Sequence, residues 1–332
     1  MTNDSSVFFY HGQKTDRIDR TAYASVVVED GCTKIAAYAF AFWENLTSVT
    51  IPDGVISIGE GAFWRCAKLT VADLPKSVTE IGAYAFACTA LTSVAIPSGV
   101  EEIGERTFVS CEALREITLP YGLLRIGKWA FTFCRSLISA EIPETVAEIG
   151  ENAFSCCSAL KSVTVPGGVR ELGRSAFSAC LSLSDLTIQN GVEVVGRSAF
   201  EGCSSLSSLT LPESVRILGD NSFARCKALP SVTIPDGVET IGRFAFGFCH
   251  TLASVSVGAG VKTILPGAFS VCFPLESVAF AEPDGWYCKR RRFSRPAPLP
   301  LSDPAEAAKL LKAECDGFRW VRIPDRKKKR RP

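Results

Sequence analysis

A phenylalanine recurs along this chain at an almost constant interval, and this periodicity constrains the fold more than any other feature. The interval is 23 residues throughout, except for 22 residues between Phe86 and Phe108. The eleven positions are Phe40, Phe63, Phe86, Phe108, Phe131, Phe154, Phe177, Phe200, Phe223, Phe246 and Phe269. A fixed period in the range of about 20–50 residues is the signature of repeat architectures. The chain is therefore predicted to stack eleven similar units.

Each unit follows the pattern L-x-x-V-x-I-P-x-x-V-x-x-I-G-x-x-A-F-x-x-C-x-x, with tolerated substitutions. In the copy that begins at Leu229, Val232 and Ile234 alternate with polar residues, which predicts a short strand with these two side chains pointing inward. Pro235 follows the strand, where its missing N–H costs no ladder bond. Gly242 is expected at a tight corner that suits neither a side chain nor a negative φ. The A-F pair is predicted to lie on a short helical turn.

The pattern resembles the BspA-type leucine-rich repeat family over roughly residues 26–280. The resemblance implies an α/β repeat solenoid, mainly β, in which about eleven 23-residue units contribute short strands and short helical turns. It also implies a role in protein–protein contact or cell-surface adhesion, and bacterial relatives are often exported. The first twenty residues, however, lack the basic start and apolar run of a signal peptide. A cytoplasmic or nuclear location is therefore expected.

The chain is predicted to contain four segments. Residues 1–25 form an N-terminal cap, with a strand at Val7–Tyr10, and residues 26–282 form the solenoid. Residues 283–325 form a C-terminal extension with one helix, for which Asp303 is the expected N-cap and Pro304 the first helical residue. Residues 326–332 form a basic tail that is expected to be disordered. No apolar stretch approaches the ~18 residues of a membrane span.

Cysteine is unusually frequent, with 14 residues in the chain. Ten of them are assigned to one repeat position, which Trp43 occupies in the first unit: Cys66, Cys88, Cys111, Cys134, Cys157, Cys180, Cys203, Cys226, Cys249 and Cys272. Disulfides, a metal site and reduced structural thiols are the alternatives. Metal ligands would have to converge, and C-x-x-C pairs are absent. Stacked Cβ atoms about 5 Å apart are also too distant for disulfides. Reduced thiols that pack as small hydrophobic groups are favoured.

The outward positions of the V-x-I strands carry mostly Ser and Thr, with a few acidic residues between Glu116 and Asp185. These residues could be strand-compatible surface residues that carry no binding specificity. They could also form a protein-docking surface of the kind that repeat arrays provide, or a lattice that orders water. Hot-spot aromatic residues and Arg are missing from these positions. The predicted contact residues are Ser93, Glu116, Thr118, Ser139, Glu141, Ser162, Thr164, Asp185, Thr187, Ser208 and Thr210.

No catalytic, cofactor-binding or metal-ligating residue is predicted, since the chain contains no phosphate loop, nucleophile elbow or zinc-protease motif. The function favoured by the sequence is a non-enzymatic, monomeric scaffold that binds one or more proteins. The alternative is a nuclear or nucleic-acid-associated factor that acts through the tail residues Arg326, Lys327, Lys328, Lys329, Arg330 and Arg331. Those six residues could serve in nuclear import, in weak RNA or phosphate binding, or only in solubility.

Overall fold

The computed structural model describes residues 6–289, 297–314 and 318–323. They fall into two compact units. Unit 1 comprises residues 6–169 with 179–181, and unit 2 comprises residues 170–178 with the described residues from 182 to 323. Both units consist of coils of about 23 residues, most of which contribute two short parallel strands. The prediction of a mainly-β leucine-rich-repeat solenoid of about eleven turns is confirmed.

Unit 1 arranges its strands in two walls. They are β1 (Val7–Tyr10), β2 (Ser25–Val28), β3 (Lys34–Ile35), β4 (Ser48–Thr50), β5 (Ser57–Ile58), β6 (Val71–Ala72), β7 (Glu80–Ile81), β8 (Ser93–Ala95), β9 (Glu102–Ile103), β10 (Glu116–Thr118), β11 (Arg125–Ile126), β12 (Ser139–Ala140), β13 (Glu148–Ile149) and β14 (Ser162–Val165). The wall that we call the strand face holds the sheets β1-β2-β4-β6 and β8-β10-β12-β14. The other, which we call the charged wall, holds β3-β5-β7 and β9-β11-β13.

Both walls of unit 1 are interrupted at the repeat with the 22-residue spacing. Within the described residues, β6 is not hydrogen-bonded to β8, and β7 is not hydrogen-bonded to β9. The spacing from Phe86 to Leu91 is one residue shorter than that from Phe63 to Leu69. Because the next strand follows two residues later, the missing residue displaces β8 from the register that the preceding coils share.

Unit 2 begins with the same architecture and ends in a different one. Its elements are β15 (Glu171–Leu172), β16 (Asp185–Ile188), β17 (Val194–Val195), β18 (Ile217–Leu218), β19 (Ser231–Ile234), β20 (Thr240–Ile241), β21 (Ser254–Val257), β22 (Thr263–Ile264), β23 (Ser277–Phe280), β24 (Trp286–Lys289), β25 (Ala297–Pro298), α1 (Pro304–Lys309), a π-helical turn (Leu310–Glu314) and β26 (Arg319–Arg322). The charged wall runs β15-β17-β18-β20-β22 and then continues through β26, β24 and β25. These last three strands are antiparallel, and helix α1 contacts β23.

Stacked phenylalanines form the centre of each unit. All eleven repeat Phe side chains are fully buried. In unit 1 the ring centroids of successive repeats are 5.0–5.6 Å apart. In unit 2 the corresponding centroids are 5.3–5.5 Å apart. Each ring therefore fills the space between its two neighbours, and no single coil could bury its apolar side without them.

The segments around the repeat Phe are turns, and the expected short helical turns are not present in the described repeats. The residues two positions before and two positions after each repeat Phe have a left-handed φ, and 19 of them are not glycine. In the second coil, Phe63 and Arg65 donate their N–H groups to Ala85 and Ala87 of the next coil. Left-handed residues break the i to i−4 bonding of a helix, so these N–H groups bond between coils instead.

The glycine after the second strand is required for a different reason from the one predicted. Gly242 does not have a positive φ. A Cβ atom on Gly242 would lie 2.5 Å from the carbonyl carbon of Gly219 and 2.6 Å from the nitrogen of Asp220. The backbone of the preceding coil is therefore the obstacle, since real Cβ contacts are not that short.

Candidate binding surfaces

The strand face of unit 1 presents most of its predicted contact residues to solvent. Ser93, Glu116, Thr118, Ser139 and Glu141 are exposed, and Ser162 and Thr164 are half-buried. The register of β8, β10 and β12 places Glu116 between Ser93 and Ser139. The alternation of buried and exposed residues thus brings these hydroxyl and carboxylate groups together on one side of the sheet.

The remaining four predicted contact residues lie in unit 2. Asp185, Thr187, Ser208 and Thr210 are all exposed. Asp185 and Thr187 lie on β16, but Ser208 and Thr210 lie outside the strands of the described residues. The prediction of a strand at Ser208–Thr210 is wrong. The inward positions of this segment carry leucine. Leucine favours the extended conformation less than the Val and Ile that most other repeats carry at the same positions.

Two carboxylates on the strand face have no partner among the residues that the structure describes. Neither the Glu116 carboxylate nor the Glu141 carboxylate makes a hydrogen bond or an ion pair with any residue that the structure describes. Both line a shallow groove that also contains Thr118, Ser139 and the aromatic ring of Tyr121. Tyr121 is 79% exposed. The groove therefore offers acceptor oxygens and one large aromatic side chain that the fold itself does not use.

The charged wall differs from the strand face because several of its acidic groups are paired between neighbouring coils. In unit 1, Arg125 bonds to Glu102, which is directly opposite on the neighbouring strand. In unit 2, Lys262 Nζ lies 2.9 Å from Glu239 Oε2. The hydrogen bond from Lys262 lowers the pKa of the Glu239 carboxyl. These two pairs are typical of a solvated face with charges of mixed sign.

A row of aromatic and arginine side chains on the turns of unit 1 was not predicted from the sequence. This row, which we call the aromatic–arginine ridge, consists of Arg20, Tyr38, Phe42, Trp64, Arg65, Tyr84, Arg106 and Trp129. Most of these residues lie two positions from a repeat Phe, where the backbone is left-handed. The signal was therefore present in the sequence, in positions that the repeat pattern leaves variable.

The ridge residues contact mainly one another. The ring centroids of Phe42 and Trp64 are 4.9 Å apart, and those of Trp64 and Tyr84 are 6.1 Å apart. The guanidinium carbon of Arg106 lies 4.1 Å from the Trp129 ring centroid and 5.4 Å from that of Tyr84. Cation–π contacts of this kind stabilise the fold that makes them. The ridge therefore braces successive coils, whereas the strand-face groove has unmatched groups.

The cysteine column contains nine residues, since the assignment of Cys88 to it is wrong. Thr89 occupies the buried position, and Cys88 is the half-buried left-handed residue before it. The shortened repeat explains the error, because it places a cysteine one residue early. Each thiol of the column donates to the carbonyl oxygen of the repeat Phe in the preceding coil, as Cys134 does to Phe108 at 3.2 Å. Cysteine therefore acts here as a buried hydrogen-bond donor.

Burial raises the pKa of five thiols in this column and so favours their protonated form. It raises the pKa of Cys111 to about 11 and that of Cys66 to about 12. It also raises the pKa of Cys134, Cys157 and Cys226 well above the usual range. The thiolate is the nucleophilic and metal-binding form of cysteine. All thirteen cysteines that the structure describes are free thiols.

The basic tail at residues 326–331 lies outside the described residues, so nucleic-acid binding through it stays a prediction. In the described part of the chain, no group of three or more His, Cys, Asp or Glu side chains could hold a metal ion. Those residues also form no helix with the length and apolar character that crossing a membrane requires.

Comparison with known proteins agrees with the geometry of the coils. A structure of a leucine-rich repeat protein from Bacteroides ovatus has a TM-score of 0.52 and 24% identity, over 84% of this chain and 88% of that one. A leucine-rich cell-surface protein from Faecalibacterium prausnitzii has a TM-score of 0.51 and 28% identity, over 83% of both chains. No curated protein matches. The BspA type leucine rich repeat region matches residues 19–111, 79–207 and 193–284, in 6 copies. The chain therefore belongs to the BspA-type leucine-rich repeat family.

Proposed function

We propose that this chain is a non-enzymatic scaffold that binds a protein partner on the strand face of unit 1. The observation that carries this proposal is the contrast between the two walls. Among the described residues, the Glu116 and Glu141 carboxylates are exposed and unpaired beside the groove, whereas Glu102 and Glu239 on the charged wall are paired to Arg125 and Lys262. The partner that fits is an extended segment with basic side chains, which the two carboxylates and the neighbouring hydroxyls would bind.

Charge reversal on the two walls tests this proposal. Glu116→Lys with Glu141→Lys should reduce capture of the partner at least tenfold, since two attractive contacts become repulsive. The matched control is Glu80→Lys with Glu148→Lys, which makes the same charge change at exposed strand positions of the charged wall. Equal loss of binding in both variants would indicate a dependence on net charge alone.

A photo-crosslinking residue can locate the contact directly. Placed at Ser139, on the strand face, it should label the partner, and placed at Ala147, exposed beside β13 on the charged wall, it should not. Labelling from Ala147 but not from Ser139 would reject the strand face as the binding surface.

We propose a reducing compartment, the cytoplasm or nucleus, as the location of the chain. The thirteen free thiols among the described residues support this proposal, because oxidising compartments favour disulfides. The similarity to a cell-surface protein from Faecalibacterium prausnitzii supports the opposite location. Protease treatment of intact cells distinguishes the two, since only an external chain would be cleaved.

A further inference from the structure

The first strand of unit 1 has an outer edge that no strand of the described residues covers. Strand β1 pairs in parallel with β2, and the carbonyl oxygens of Ser6 and Tyr10 accept hydrogen bonds from N–H groups at the two ends of β2. In a parallel ladder, the N–H and C=O of one residue point to the same neighbour, and those of the next residue point to the opposite side. The backbone groups of Val7, Phe9 and His11 therefore face the open edge.

One side chain occupies part of this edge. Gln13 Nε2 donates to the carbonyl oxygen of Phe9 at 3.0 Å. Gln13 Oε1 accepts a hydrogen bond from the backbone N–H of His11. A residue of an added parallel strand would bond in the same way, to the C=O of one residue and to the N–H two residues later. The carboxamide of Gln13 thus takes the place of one residue of a missing strand, opposite Tyr10.

Within the described part of the chain, the edge has no other protection of the kind that exposed strands usually carry. Its sequence, Val7-Phe8-Phe9-Tyr10, contains neither proline nor a charged residue, and these are the common means of preventing strand addition. The edge strand β25 of unit 2, by comparison, contains Pro298. Phe9 is also 52% exposed, next to the half-buried Val7. Apolar side chains therefore lie beside the open backbone groups.

We propose that the outer edge of β1 is a strand-addition site for β1 of a second copy of this chain, and that Gln13 keeps it closed. Antiparallel pairing centred on Phe8 would place Val7 of each copy opposite Phe9 of the other. The outward N–H and C=O groups of these residues would then bond in two matched pairs, and the exposed Phe9 rings would each be covered by a valine. A two-fold interface of this kind requires the Phe9 carbonyl, which Gln13 occupies.

Sedimentation velocity over a concentration series of the full chain tests the proposal. The wild-type chain should remain a monomer over this series. The Gln13→Ala chain should form a dimer, with a dissociation constant at least about tenfold lower than that of the wild type. Gln13→Glu should also dimerise, because its carboxylate can accept from His11 but cannot donate to the Phe9 carbonyl. A wild-type dimer, or monomers in both variants with unchanged circular dichroism, would overturn the proposal.

A second substitution shows whether the dimer uses β1. In the Gln13→Ala background, Phe9→Pro removes the Phe9 N–H, which faces the open edge, and leaves the hydrogen bonds to β2 in place. Edge strands accept proline at positions of this kind, where the N–H faces away from the sheet. The doubly substituted chain should be monomeric, while Phe273→Pro, at an exposed position of unit 2, should leave the dimer intact. Association that survives Phe9→Pro would mean that another surface is responsible.

Discussion

The buried thiols should make the fold less stable as the pH rises above the range in which an unfolded thiol ionises. Burial raises the pKa of Cys66 to about 12 and that of Cys111 to about 11, while an unfolded thiol ionises near pH 8.5. Above pH 8.5 the unfolded chain therefore binds fewer protons than the folded one, and each such thiol lowers the free energy of unfolding by about 1.4 kcal/mol per pH unit. This loss continues until the folded thiol ionises.

Urea unfolding between pH 7 and pH 10 should show this loss of stability. Cys66→Ala with Cys111→Ala should be less stable than the wild type at pH 7, but its stability should fall less steeply with pH because two of the titrating groups are gone. Identical slopes for the two proteins would show that the burial of these thiols does not govern the alkaline transition.

The corner glycine allows a test of the close approach between coils. Gly242→Ala should cost about 1–3 kcal/mol in unfolding free energy, because its Cβ would overlap the backbone at Gly219. Gly122→Ala is the matched control, since the nearest atom to its Cβ would be 3.6 Å away and its φ is not positive. A comparable cost at both positions would point to a general effect of losing glycine.

At the scale of elements, the interruption between β6 and β8 predicts a local difference in hydrogen exchange. Among the strands that the structure describes, β8 bonds only to β10, whereas β10 bonds to both β8 and β12. The amides of Ser93–Ala95 should therefore exchange faster than those of Glu116–Thr118, although both strands have three residues and the same burial pattern. Equal protection factors from mass spectrometry would mean that the interruption has no energetic consequence.

The strands could be predicted from the sequence better than the turns. Val232 and Ile234 are buried while the residue between them is exposed, and this alternation follows directly from the two-residue period of a strand. The left-handed residues could not be recognised, because large side chains such as Trp129 and Phe133 rarely adopt that conformation. The unpaired state of Glu116 was equally inaccessible, since pairing depends on which charges the neighbouring coils present.

At the scale of the whole chain, stability should depend on the continuity of the phenylalanine stack within each unit. Phe131 lies between Phe108 and Phe154, with ring centroids 5.4 Å and 5.0 Å away. Phe131→Ala should cost about 3–5 kcal/mol and open the neighbouring coils. Limited proteolysis should then cut first between Phe108 and Phe154, and initial cleavage elsewhere would contradict nearest-neighbour stacking.

The left-handed turns have a consequence for how this protein can change over evolution or by design. At the two left-handed positions of each repeat, the chain carries residues as different as Trp129, Arg106, Ser175, Asn221 and Val271 on one backbone conformation. The conformation is held by hydrogen bonds between backbones, so it does not depend on which side chain is present. A combinatorial library randomised at these positions would vary two side chains in every coil while retaining the same scaffold.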